Sequence, residues 1–213
     1  MFVKDILIYK YPLMKTIDLR YKKTVCFISL ILFINLCFGQ NSESKHYRYT
    51  NLRIRKLNKE GADFRSKAKF DKAILLHYKA LNLAESIKDT ISIISSLNKI
   101  GTILRRTGSY YESTHYHFLA SKMAKNNSKY YKSRAIALNG LGNAYLSLGK
   151  FKEAKRSFKT ALDLERKVKS SLGQAIDLCN IADTYSILNE RDSAKYYYIK
   201  SLYYNNKIFY LIF

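Results

Sequence analysis

Proline occurs once in the 213 residues, at Pro12, and tryptophan is absent. Beyond Pro12 no ring locks φ or removes a backbone donor, so nothing interrupts long helices. Cysteine is nearly as scarce: Cys26 and Cys37 lie in an amino-terminal apolar stretch, and only Cys179 lies beyond it. One thiol cannot close an intramolecular disulfide, so the fold of that part does not depend on an oxidising compartment. Cys179 reads as a small helix residue rather than a reactive thiol, because no histidine or cation neighbours it in sequence. Acidic residues are also short, 16 against 38 Lys and Arg, for a net charge of +22. They are scattered, with no pair on adjacent turns flanked by a histidine, so neither a carboxylate dyad nor a metal site is indicated. His115 and His117 stand two apart; on a helix they point about 200° from each other and cannot chelate one ion unaided. Gly140-Leu-Gly142 falls inside a helical pattern rather than after a strand, which excludes a phosphate loop. No strand pattern competes anywhere. The chain reads as a non-enzyme without cofactor.

What is present begins with an export signal. Lys15, Arg20, Lys22 and Lys23 form a positive segment. Val25 to Phe38 follows as an apolar run broken only by Ser29 and Asn35, and Cys37-Phe-Gly39 places small residues where a signal peptidase reads. The run is shorter than the roughly 20 residues that span a bilayer, which favours cleavage, with an uncleaved membrane anchor as the alternative. Residues 1–39 are thus assigned as a signal peptide, the location as exported and periplasmic, and Met14 as a second candidate start. A mature chain from Gln40 loses six basic and two acidic residues, leaving 32 minus 14, or +18. Residues 40–52, opening with polar Asn41, Ser42, Glu43 and Ser44, are assigned as a linker.

The remaining chain repeats. Leu138, Leu141 and Tyr145 lie one helical turn apart, Gly142 removes a side chain where a neighbouring helix must come close, and Gly149-Lys150 breaks the helix. A second helix follows, with Ala154, Phe158, Ala161 and Leu162 on one apolar face. The unit recurs upstream at Leu97, Gly101, Leu104, Ser113, His117 and Ala120, and again at Leu57, Gly61, Phe64, Ala73, His77 and Ala80. Downstream it returns at Leu178, Ala182, Tyr185, Ala194, Tyr198 and Ser201. Helices are predicted near 53–67, 70–87, 91–107, 110–126, 130–148, 151–169, 172–188 and 191–206, with turns at Lys88-Asp89-Thr90, Thr107-Gly108, Asn126-Asn127-Ser128, Gly149-Lys150 and Asn189-Glu190.

The pattern resembles the tetratricopeptide repeat, W-x2-L-G-x2-Y then A-x3-F, with Leu138 in the Trp place. The units stand 40, 41 and 40 residues apart, counted from Leu57 to Leu97, Leu138 and Leu178, against about 34 in the family. The extended-repeat branch of the family has such long second helices. Departures are Glu60 before the Gly, Arg191 in place of an aromatic, and no helix-stopping Pro. The resemblance implies an all-α fold: a right-handed superhelical solenoid of antiparallel helix pairs, four units over residues 53–206, followed by an apolar tail, 207–213.

It also implies that the first helix of each unit lines a concave groove. Mapped residue by residue, the wall carries Arg55, Asn58, Ala62 and Arg65, then Ser95, Asn98, Thr102, Arg105 and Arg106. Ile136, Asn139, Asn143 and Ser147 follow in the third unit, and Ile176, Cys179, Asp183 and Ser186 in the fourth. Asn58, Asn98 and Asn139 recur at one place, and a row of amides can pair with the backbone of an extended peptide. From Lys45 to Arg106 there are fifteen basic and five acidic residues, against four of each from Ser171 onward. The basic half attracts an acidic protein segment. Nucleic acid fits the charge, but the signal peptide and the absence of any helix-turn-helix, zinc finger or stacking platform argue against it. The binding set read from sequence is Arg55, Asn58, Arg65, Asn98, Arg105, Arg106, Asn139 and Asn143. The alternative to a free-standing scaffold is the input fragment of a sensor, since similar arrays precede histidine kinases and helix-turn-helix regulators. Tyr203, Tyr204, Ile208, Phe209, Leu211, Ile212 and Phe213 end the chain without a polar cap. That points to back-folding, self-association or a membrane contact.

Overall fold

The computed structural model describes residues 44–125 and 127–212, with 207–212 described by their backbone alone. The signal peptide assigned to 1–39 and the side chains of the apolar tail lie outside the described residues. The chain divides into two compact units, Met1–Tyr49 and Thr50–Phe213, and the array belongs to the second.

Helix α1 covers 44–66. It is followed by α2 (Phe70–Ser86), α3 (Thr90–Arg106), α4 (Tyr110–Met123), α5 (Tyr131–Ser147), α6 (Phe151–Lys167), α7 (Ser171–Ile187) and α8 (Arg191–Ile212), with a 3-10 turn at Ser128–Tyr130 before α5. The described residues form an all-α solenoid of paired antiparallel helices without a strand. Successive helices pack on one another from α2 to α8, and the odd-numbered helices also touch directly, α3 on α5 and α5 on α7. The first helices of the pairs thereby form the inner layer.

Two boundaries differ from the sequence expectation. Residues 44–52, expected as linker, are helical, because polarity alone does not stop a helix and no Gly or Pro lies between 44 and 60. From Asn51 onward the helix is held to the array: Asn51 Nδ2 donates to Asp89 Oδ2 at 2.8 Å, and Ile54 is buried with Ala80 and Ala84. At the other end α8 runs on to Ile212 instead of stopping at 206, with no Gly or Pro to end it.

Most links close the same way, with one residue in the left-handed region: Ala68 (φ 55°), Lys88 (53°), Gly108 (89°), Gly149 (70°), Lys169 (54°) and Asn189 (60°). The following N–H then reaches back to a carbonyl near the helix end, as Lys150 N does to Tyr145 O at 2.9 Å and Ser109 N to Leu104 O at 2.9 Å. Asp89 and Ser170 cap α3 and α7 by accepting backbone N–H groups.

Within each pair a ring on the second helix lies over a glycine on the first. A Cβ added at Gly61 would meet the His77 ring at 2.6 Å, one at Gly101 the His117 ring at 2.8 Å, and one at Gly142 the Phe158 ring at 2.5 Å. His117 is enclosed from two sides, since Gly140 of α5 also faces its ring. The fourth pair breaks the rule: Ala182 occupies the glycine place, and Tyr198 is 40 % exposed, its hydroxyl donating to Asp183 Oδ1 at 2.5 Å. Gly142→Ala and Gly101→Ala are expected to lower unfolding free energy by about 1–3 kcal/mol each, as forced overpacking does, in urea titrations followed by circular dichroism. Gly140→Ala should act on His117 in the same direction.

Candidate binding groove

The inner layer is built from α1, α3, α5 and α7, and a hollow lies between the first three of these. It encloses about 300 Å³. Ala62, Ser95, Thr102 and Ser133 keep it open by being small, while Arg65 of α1 and Lys99 of α3 flank it. His77 of α2 and Asn98 of α3 border it as well, and Ile136 of α5 completes the wall. Ala62, Arg65, Ser95, Asn98, Thr102 and Ile136 were expected on this wall. His77, Lys99 and Ser133 were not. In register Lys99 corresponds to Lys59, Gly140 and Asn180; comparing the units position by position therefore marks it as a basic position of the first two units.

The asparagine row takes a role other than the one expected. Asn58 Oδ1 meets His77 Nδ1 at 2.9 Å, and Asn58 Nδ2 donates to Ser96 Oγ at 3.4 Å. Asn98, only 7 % exposed, meets His117 Nδ1 at 3.1 Å and donates to Ser133 O at 3.5 Å. Asn139 Nδ2 donates to Asp177 Oδ1 at 2.6 Å. Asn58 and Asn98 thus tie first helix to second helix, and all three carboxamides reach the next pair, so they are not a free ladder for a peptide backbone. For Asn58 and Asn98 the reason is the histidine in the ring position: a buried imidazole N–H needs an acceptor, and the asparagine supplies it; Asn139, whose pair carries Phe158, is engaged by Asp177 instead. Asn143 differs, its Nδ2 donating to Asn139 O at 2.9 Å while its own Oδ1 makes no hydrogen bond within the described residues.

The predicted arginines separate. Arg55 is exposed, Arg65 and Arg105 are half-buried, and Arg106 lies over the Phe70 ring at 5.7 Å, turned toward the start of α2. Ion pairs among the described residues are Lys56–Glu60, Lys67–Asp63 and Arg166–Asp163, all on the surface and none involving Arg65, Lys99 or Arg105. The inner-wall cations therefore hold their charge without a counterion. Burial, reinforced by Arg65, pushes the Lys99 ammonium down from its ordinary range; burial with Arg106 does the same to Arg105.

Burial lowers His77 to about 4, with Lys99 and Arg65 adding to the fall, and lowers His117 to about 4, with Arg105 adding to it. Both rings are neutral near pH 7. Asp177 shifts the other way, raised to about 7 by burial against the opposing Asn139 bond, with Glu165 adding to the rise. Among the described residues no cluster of His, Cys, Asp or Glu could hold a metal ion.

The tetratricopeptide-repeat family model matches residues 91–167 and again 133–202, together 91–202 and so more than half of the chain. No curated protein matches it. Among solved structures the chain is similar to BtubC (BKLC) from P. vanneervenii, at 18 % identity and TM-score 0.62 over 78 % of this chain and 74 % of that one. It is also similar to aspartyl phosphate phosphatase F from Bacillus subtilis, at 17 % identity and TM-score 0.66, over 86 % of this chain and 46 % of that one. The chain thus spans about half the length of the phosphatase. A TPR-like repeat array of kinesin light chain type from Podosopora anserina aligns at 13 % identity and TM-score 0.56, over 83 % and 93 % of the two chains. At such identities the likeness is one of fold.

Asn98→Ala should cost about 1–3 kcal/mol of stability, because it strands the His117 N–H in the core; a melt that leaves stability unchanged would return Asn98 to the free wall. The histidines give a pH signature. Their unfolded-state value near 6.5 lies above the folded value near 4, so the unfolded chain binds protons first and stability falls as pH drops from about 6.5 through about 4. Asp177, with a folded value near 7 above its ordinary 3.8, is relieved as pH falls through 7. Urea midpoints should rise from pH 8 to about 6.5 and then fall. His117→Phe, the ring type of the third pair, should make the fall shallower.

Proposed function

The chain belongs to the tetratricopeptide-repeat family, a family of protein-interaction scaffolds, and we propose that this array holds an extended acidic segment of a protein partner against its inner layer. The observation that carries this reading is the set of inner-wall cations, Arg65, Lys99 and Arg105, with no acidic residue paired to them among the described residues. Arg55 and Arg106 extend the positive field toward both rims, and exposed charges of this kind act chiefly by steering encounter. Asn143, with Oδ1 open, is placed to accept one backbone N–H of the bound segment. The partner is exported with the array, on the sequence of residues 1–39, in the periplasm.

A second reading is the input region of a larger signalling protein, such as a histidine kinase or helix-turn-helix regulator. It draws on the exposed Ile199, Leu202 and Tyr203 of α8, a surface that further helices would cover. Extending the gene's reading frame past Phe213 separates the two readings.

An oligoglutamate peptide is the direct probe. Its association rate should fall steeply between low and physiological salt, and the Arg55→Ala, Arg105→Ala double variant should slow it by about tenfold, with a weaker salt dependence. Lys152→Ala and Lys159→Ala, on the exposed face of α6, serve as controls. Loss of binding in those controls with the arginine variants unaffected would move the interface to the outer layer.

A further inference from the structure

The hollow between the first three inner helices contains far more hydrogen-bond donors than acceptors. The Arg65 guanidinium makes no hydrogen bond or ion pair among the described residues. Lys99 Nζ gives one hydrogen to Ser95 Oγ at 2.6 Å, which leaves two on the ammonium and the Ser95 hydroxyl hydrogen free. The Ser133 hydroxyl adds another donor on the α5 side. Thr102 differs, its hydroxyl already donating to Asn98 O at 2.8 Å. No carboxylate lines the hollow.

A second observation comes from His77, which is 0 % exposed and borders the same hollow. Asn58 gives its amide nitrogen to Ser96 and so turns its oxygen to the ring, which places the imidazole proton on Nδ1. Nε2 is then a bare acceptor with no partner among the described residues, as is Nε2 of His117, which lies outside the hollow. The ring therefore leaves the surplus of donors in the hollow unchanged.

We propose that the hollow between Arg65 and Lys99 is a socket for one phosphoryl group, carried as a phosphomonoester on the extended segment that the groove holds. The proposal rests on the groove reading above and names its anchor. Two cations facing one cavity call for more than one negative charge. A phosphomonoester brings about 1.5 to 2 charges and three acceptor oxygens, whereas a carboxylate brings one charge and leaves one cation unmatched. The guanidinium fork and the ammonium are the two side chains best suited to it.

The test is an NMR titration of the ¹⁵N-labelled chain with acetyl-Gly-phosphoSer-Gly-amide, its Glu counterpart, sulfate, inorganic phosphate and oligoglutamate. The phosphorylated tripeptide should shift the Ser95, Thr102 and Ser133 amides saturably and bind about tenfold or more tightly than the Glu tripeptide. Lys99→Met and Arg65→Gln should each weaken it by about tenfold, with circular dichroism melts showing the fold intact, and Lys152→Ala should leave it unchanged. Equal affinity for the two tripeptides, or for sulfate, overturns the socket, as does indifference to Lys99→Met. Inorganic phosphate binding as tightly as the tripeptide overturns the chain-borne source and makes this a free-phosphate site. Oligoglutamate that binds through Arg55 and Arg105 without any phosphoryl preference sinks the socket and leaves the groove standing. Phosphoryl binding at the hollow with no oligoglutamate binding does the reverse.

Discussion

The contact between a ring on one helix and a glycine on its partner sets the geometry of this molecule. His77 on Gly61, His117 on Gly101 and Phe158 on Gly142 bring the two helices of a pair closer than any Cβ would allow. Fully burying the Phe158 ring contributes about 1.5–3 kcal/mol, and the close approach fixes how far the inner layer is drawn together. Where alanine takes the glycine place, at Ala182, the ring of Tyr198 is partly exposed and bonds Asp183 instead. One methyl group thus separates two ways of closing the same motif.

Two of the rings are histidines, and this changes what the first helices can offer. An imidazole in a dry interior must place its N–H, and Asn58 and Asn98 receive it. The same residues that a motif alignment puts on a binding wall are therefore turned partly inward. What remains available to a ligand is the cationic set around the hollow and the open oxygen of Asn143. The division of labour follows from chemistry: amides satisfy the buried rings, and long basic side chains reach past them to the open space.

Fold was legible in the chain because the pattern is repeated. Leu138, Gly142, Tyr145 and Phe158 specify one pair, and three imperfect copies in register identify the array that the family model matches. Helix ends were legible where turn chemistry was present, at Gly108 and Gly149, and less so at 44–52 and beyond 206, where no breaker marks the boundary. The groove was half legible. Positions facing inward follow from helical periodicity, so Ala62, Arg65, Ser95 and Thr102 were placed correctly. Whether an inward amide is free depends on its partner across the helix pair, nineteen positions away in the case of Asn98 and His117, and no local pattern encodes that. Lys99 was hidden for a related reason. Its equivalents are Lys59, Gly140 and Asn180, so no one residue type marks the position across the units.

Asn58, Asn98 and Asn139 also reach forward, to Ser96, Ser133 and Asp177 in the pair that follows. A linear array unfolds as a whole only when neighbouring units are coupled strongly enough to outweigh the gain in freedom on releasing one of them. These polar ties add directional coupling to the apolar interfaces, running from each of the first three pairs to the next. The row ends with the Asn139–Asp177 link, so the first and last pairs are each held by one such tie and the two middle pairs by two. Opening of the array should therefore start at an end rather than in the middle. The half-buried thiol of Cys179, which burial keeps above its ordinary pKa, lies in the last pair, where its rate of alkylation reads how often that end comes apart.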